Sequence, residues 1–120
     1  MNLEGDLKTA YQGMDDQGAV FCFPRDLALF QGHFPGQPIL PGIAQIEMVR
    51  HTLGRITGVD HALVRIKKTK FMHLISPETP VGVTLNSTPM DDGKKQVRAT
   101  LKAKDQILAK LTLILKEIRE

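Results

Sequence analysis

Apolar positions change their period partway along the chain. From Gly42 to about Thr57, Ile43, Ile46, Val49, Leu53 and Ile56 recur at intervals of three and four. That spacing predicts an amphipathic helix, about 24 Å long at 1.5 Å per residue. Pro41 stands where a helix start tolerates proline, and Gly58 where a helix commonly stops. Ala44 and Met48 lie off the main stripe, so the helix is expected to be covered on several sides. Beyond it the period falls to two. Val81, Val83 and Leu85 alternate with polar residues, as do Val97, Ala99, Leu101 and Ala103, and then Ile107, Ala109, Leu111, Leu113 and Leu115. These are half-buried strands. Asp91-Asp92-Gly93 reads as a hairpin turn, with a second tight turn near Asp105. Ala62 to Ile75 is long enough for an extended, partly exposed strand.

Ahead of the helix the pattern is thinner. The first 18 residues are polar and are expected to hold a short strand or lead-in. Ala19 to Phe23 is a short apolar strand candidate stopped by Pro24. Strand, loop, one helix and about four antiparallel strands suit an α+β fold, a curved antiparallel sheet wrapped around one central helix. With 120 residues there is room for one domain, taken as 1–120.

Composition removes several function classes. Cys22 is the single cysteine, so no intrachain disulfide forms. No basic-then-apolar leader opens the chain and no apolar run approaches a membrane span, so a cytoplasmic protein without membrane association is expected. The net charge of +3 and pI near 9.2 suit an acidic partner. Without zinc-finger spacing, a phosphate loop or many aromatics, they do not point to nucleic acid.

Gly and Pro supply six of the eleven residues from Gly32 to Gly42, GHFPGQPILPG, which excludes regular helix and central strand. Phe34, Ile39 and Leu40 argue that this loop packs. GHFPGQPILPGIAQIEMV, Gly32 to Val49, resembles the active-site signature of bacterial-type 3-hydroxyacyl-[acyl-carrier-protein] dehydratases. That signature is GHFPGxPxxPG followed by an apolar helix bearing a carboxylate. Here the histidine is His33 and the carboxylate Glu47, fourteen residues on. The likeness continues more weakly through VRIKKTKF (Val64 to Phe71), Pro77 and the turn Asp91 to Lys94. It implies a hot-dog fold and dehydration of 3-hydroxyacyl-carrier thioesters to trans-2-enoyl products, in fatty-acid or related acyl-chain biosynthesis. It also implies a site shared across a homodimer, with hexamers built from three dimers in the family. The substrate would ride on the phosphopantetheine of acyl carrier protein, so no cofactor of the chain's own is expected.

The residue types fit that chemistry. Imidazole titrates near neutrality, which suits His33 to take the C2 proton. Glu47 lies between Ile46 and Met48, where burial would keep a proton for the departing C3 hydroxyl. Gly42, at the helix N-terminus, offers unpaired amides to the charge on the thioester oxygen and no side chain in the way. Phe34, Ile43 and His51 are further expected to line the substrate site. His51 falls one turn after Glu47, where the family usually has glutamine. His33, Glu47 and His51 match no established zinc set, so no metal is expected. Arg65, Lys67, Lys68 and Lys70 are read either as a solvated strand face or as a landing surface for the acidic carrier. His61 and His73 are read as surface or structural, and Cys22 as a small buried residue. A hot-dog thioesterase and a non-catalytic acyl-binding subunit are the alternatives to a dehydratase.

Overall fold

The computed structural model describes residues 2–15, 18–31, 36 and 38–118. The elements run α1 (Leu3–Ala10), β1 (Tyr11–Asp15), β2 (Gly18–Phe21), α2 (Gly42–Thr57), β3 (His61–Phe71), β4 (Val81–Pro89), β5 (Lys94–Ala103) and β6 (Gln106–Glu117). The six strands form one antiparallel sheet in the order β1-β2-β4-β5-β6-β3. Thus α2 carries the chain from β2 across one face of the sheet to its far edge, where among the described residues β3 pairs only with β6. This is the hot-dog fold, and α2 is the helix the sheet embraces.

α2 has the bounds its periodicity predicts, and Gly58 ends it in the left-handed region (φ 80°), its amide donating to the Gly54 carbonyl at 2.8 Å. The buried face is broader than the stripe. Ile46, Val49 and Leu53 are buried together with Ala44, Gln45, Met48 and Thr52, whereas Ile43 and Ile56 are about half exposed. They meet the inward residues of the sheet, Phe21, Val83, Val97, Leu101, Leu111, Leu113 and Leu115, in one continuous core.

The N-terminal segment holds the expected short strand, β1, and adds an element the sequence-based expectation lacked. A second helix, α1, precedes the first strand. Its Asn2 side chain caps the Gly5 amide at 3.0 Å, acidic Glu4 and Asp6 occupy its positive end, and only Leu7 and Ala10 bury. Such sparse apolar spacing in eight residues was too faint to separate from a lead-in. β2 ends at Phe21, earlier than Phe23: the Cys22 amide still donates to the Ala10 carbonyl at 2.8 Å, but Ala10 already belongs to α1, and on the β4 side the next residue is Pro80, which has no amide to donate. Cys22 is half-buried rather than buried.

β3 ends at Phe71, short of Ile75, and carries two β-bulges, between Leu63 and Arg65 and between Ile66 and Lys68. Each adds a residue and resets which side chains share a face. Leu63, Ile66, Thr69 and Phe71 stand opposite the inward Leu115, Leu113, Leu111 and Ala109. Arg65, Lys68 and Lys70 stand opposite Ile114, Thr112 and Lys110 on the outer face.

Candidate active site

The N-terminus of α2 is held without a capping side chain. Pro41 precedes it, the amides of Ala44 and Gln45 turn back to the Pro41 carbonyl, and among the described residues no partner meets the amides of Gly42 and Ile43. They lie beside an apolar recess of about 460 Å³, walled by Ile39, Leu40, Gly42, Phe71, Met72 and Leu74. A Cβ on Gly42 would sit 3.1 Å from Phe71 Cζ, so the ring of the edge strand is packed against the bare helix start. The recess walls are pinned at 2.7 Å by the Leu40 amide on the Ile75 carbonyl and at 2.8 Å by the Met72 amide on the Leu108 carbonyl. Gln45 also faces this recess. It is 4% exposed, its Nε2 donates to the Leu40 carbonyl at 3.4 Å, and its Oε1 is buried with no hydrogen-bond donor among the described residues.

Glu47 lies five residues after Gly42, some 140° round the helix from it, and opens elsewhere. Its cleft, about 520 Å³, is lined by Glu47, Arg50, His51, Arg55, His61 and residues of α1. The Glu47 side chain is a quarter exposed, and Arg50 Nη1 donates to both of its oxygens, at 2.5 and 2.7 Å. The same guanidinium donates through Nε to the His61 carbonyl at 2.8 Å, fastening α2 to the first residue of β3. Behind it the buried His61 ring contacts the Val59 carbonyl at 3.0 Å through Nδ1 and Lys95 Nζ at 3.3 Å through Nε2. Lys95 pairs in turn with Glu117 at 3.3 Å. Desolvation, then the Lys95 charge, lower the His61 pKa below the usual histidine value.

His51 shares the Glu47 cleft, as one helical turn of separation requires. Its ring lies 5.8 Å from both Tyr11 and Phe21, and its Nε2 accepts from Arg55 Nε at 3.2 Å. Arg55 itself lies 3.8 Å over the Tyr11 ring. Desolvation, then Arg55 and Lys8, lower the His51 pKa. Within one chain, then, Glu47 and His51 come together, Gly42 opens onto a different recess, and Ile43 is exposed between them. His33 and Phe34 lie outside the described residues. Arg65, Lys68 and Lys70 form an outward basic row, and Lys67 donates to Gln96 Oε1 at 2.9 Å. Among the described residues no cluster of three metal-ligating side chains occurs, and no helix is long and apolar enough to cross a membrane.

Arg50 and Gln45 were not anticipated as site residues. Arginine three positions after glutamate on a predicted helix was a usable signal for the first. A polar residue inside the apolar run Ile43 to Val49 was one for the second.

Comparisons with known proteins bear on the fold and the family. The chain is 30% identical over 96 residues, 72% of its length and 69% of the relative's, to 3-hydroxyacyl-[acyl-carrier-protein] dehydratase FabZ of Ligilactobacillus salivarius. It is 29% identical over 97 residues, 73% of its length and 69% of the relative's, to FabZ of Latilactobacillus sakei. Among solved structures it resembles the dehydratase heterocomplex ApeI:P from Xenorhabdus doucetiae, with TM-score 0.68 and 24% identity over 88% of this chain and 96% of that one. The fold is equally that of a point mutant of the fluoroacetyl-CoA-specific thioesterase FlK, with TM-score 0.67 and 15% identity over 89% and 90% of the two chains. The ApeI-like family model, described as ApeI dehydratase, matches residues 11–111, and the chain belongs to that family of hot-dog dehydratases.

Proposed function

We propose that the chain dehydrates 3-hydroxyacyl thioesters carried on acyl carrier protein, giving trans-2-enoyl thioesters. The observation that carries this reading is the uncapped start of α2 at Gly42, facing an apolar recess on the helix that also bears Glu47. His33 takes the C2 proton. The electron pair left at C2 spreads onto the thioester oxygen, where the amides at the start of α2 meet the charge. The carbonyl then re-forms, C2=C3 closes, and the C3 hydroxyl leaves as water with a proton from Glu47. Passage of a proton from His33 back to Glu47 restores the site, and the net change is loss of one water. The acyl chain lies in the apolar recess. Phosphopantetheine brings the substrate, and no cofactor of the chain's own takes part.

The bare edge of β3 supports a site built from two chains. Among the described residues its eleven residues pair on one side only, with Leu63, Val64, Ile66 and Phe71 exposed along them. An unpaired edge of that length seeks a partner strand. Pairing with a second copy covers it and gives a homodimer from which a hexamer of three dimers can grow, and the family resemblance implies that the histidine serving Glu47 is the partner's. The dehydratase heterocomplex among the solved structures makes a distinct partner chain the other candidate for that edge. The basic row Arg65, Lys67, Lys68 and Lys70 receives the acidic carrier. The reaction belongs to acyl-chain assembly in the cytoplasm.

The thioesterase reading is kept alive by the FlK likeness. Mass spectrometry of 3-hydroxyacyl carrier protein separates the two, since a dehydratase removes one water and releases no thiol. Turnover is expected to fall about 100- to 10,000-fold in His33→Ala and in Glu47→Gln. Thiol release without water loss, or dehydration that survives both substitutions, rejects the proposal.

A further inference from the structure

We infer that Arg50 is a positioning residue for Glu47, holding its carboxylate and tying it to the strand edge at which the second subunit is expected. This rests on the reaction proposed above. One Nη1 reaches both Glu47 oxygens while Nε of the same plane holds the His61 carbonyl, so the guanidinium is fixed at both ends. The His61 end is itself rigid: it is buried, opens β3, and is braced by Val59, Lys95 and Glu117. A glutamate side chain has three free torsions, and an anchored partner leaves it few rotamers.

The contact also has a chemical consequence. As Glu47 gives its proton to the departing hydroxyl, negative charge builds on its oxygens, and a fixed guanidinium beside them meets that charge without reorganising. The paired carboxylate is the form that exists once the hydroxyl has left. Arg50 therefore acts on the proton-transfer step and not on substrate affinity. Lysine is a poor substitute, because an ammonium is a point charge without the planar fork that spans Glu47 and His61.

The test measures kcat and KM with a 3-hydroxyacyl pantetheine thioester for the parent, Arg50→Ala, Arg50→Gln, Arg50→Lys, Glu47→Gln and the double variant Glu47→Gln/Arg50→Ala. Arg50→Ala and Arg50→Gln are expected to lower kcat about 10- to 100-fold with KM nearly unchanged, as displaced catalytic groups do. Arg50→Lys should recover part of the loss. The double variant should be no slower than Glu47→Gln alone, because Arg50 acts only through that carboxyl. Arg50→Gln keeps a donor for the His61 carbonyl, so it reads the role if Arg50→Ala unfolds. Parental kcat in Arg50→Gln overturns the inference, as does a further loss of about tenfold in the double variant. A parent that turns over no hydroxyacyl thioester rejects the proposed reaction instead, and this role falls with it.

Discussion

Gly42→Ala separates the roles of backbone and side chain at the start of α2. The new Cβ lands 3.1 Å from Phe71 Cζ and 3.4 Å from Cε2. Comfortable carbon contacts begin near 3.5 Å, so the ring must retreat by about 0.5 Å. Phe71 ends β3 and is 48% exposed, so it has room to pivot. Replacing glycine within a helix returns roughly 0.5–1 kcal/mol, which offsets the contact. Stability should therefore stay within about 1 kcal/mol of the parent, measured by urea unfolding. Activity should not. The methyl group projects from the helix start whose amides are proposed to hold the thioester oxygen, and losing such a donor costs about 100- to 1,000-fold in kcat. The assay follows the ultraviolet absorbance of the conjugated enoyl thioester under saturating substrate. Adding Phe71→Ala removes the displaced ring but not the methyl group, so the double variant should stay slow. A stable Gly42→Ala protein with kcat within about threefold of the parent would refute the placement of the thioester at these amides.

Three further outcomes follow from the packing and charges. Phe21→Ala removes a fully buried ring that stacks on Phe23 at 6.3 Å and meets Tyr11 edge-on at 5.6 Å, and it should cost about 3–5 kcal/mol in chemical unfolding. His51 and His61 have folded pKa values below the ordinary histidine value of 6.5, so their contribution is intact above that pH and is lost as pH falls below it towards the folded values. Unfolding free energy should drop between pH 7 and pH 5, by at most about 1.4 kcal/mol per pH unit for each group, and His61→Gln should flatten the slope; an unchanged slope argues against it. Lys68→Glu and Lys70→Glu should raise KM for carrier-bound substrate and leave small free thioesters unaffected. Because Lys70 stands opposite Lys110, its reversal should not destabilise the fold, and equal KM effects on both substrates would dismiss the docking role.

α2 was legible because two signals coincide in it, a three-to-four residue stripe and proline and glycine at its two ends. β4, β5 and β6 were legible because strict alternation there is uninterrupted. β3 was recognisable as extended but not as two-faced. Its bulges break the alternation, so Arg65 and Lys67 read as sharing a face with Leu63 until the register is known. α1 was missed because two buried residues do not make a stripe. At the candidate site, the resemblance to the dehydratase signature named His33, Glu47 and Gly42, but His33 lies outside the described residues. Spacing along a helix could not show that Glu47 and Gly42 open onto separate recesses. Nor did a search for proton donors and acceptors find Arg50, whose importance comes from touching Glu47 and a strand carbonyl at once.

The two bulges of β3 make its faces depend on residue number as well as residue type. Removing the extra residue at either bulge, Val64 or Lys67, would leave Leu63, Ile66, Thr69 and Phe71 opposite the same β6 partners and only straighten the strand. In this stretch a single-codon deletion at Val64 or Lys67 is consequently absorbed with every face kept, and sequence comparisons that align an unbulged strand without a gap there would match residues from opposite surfaces.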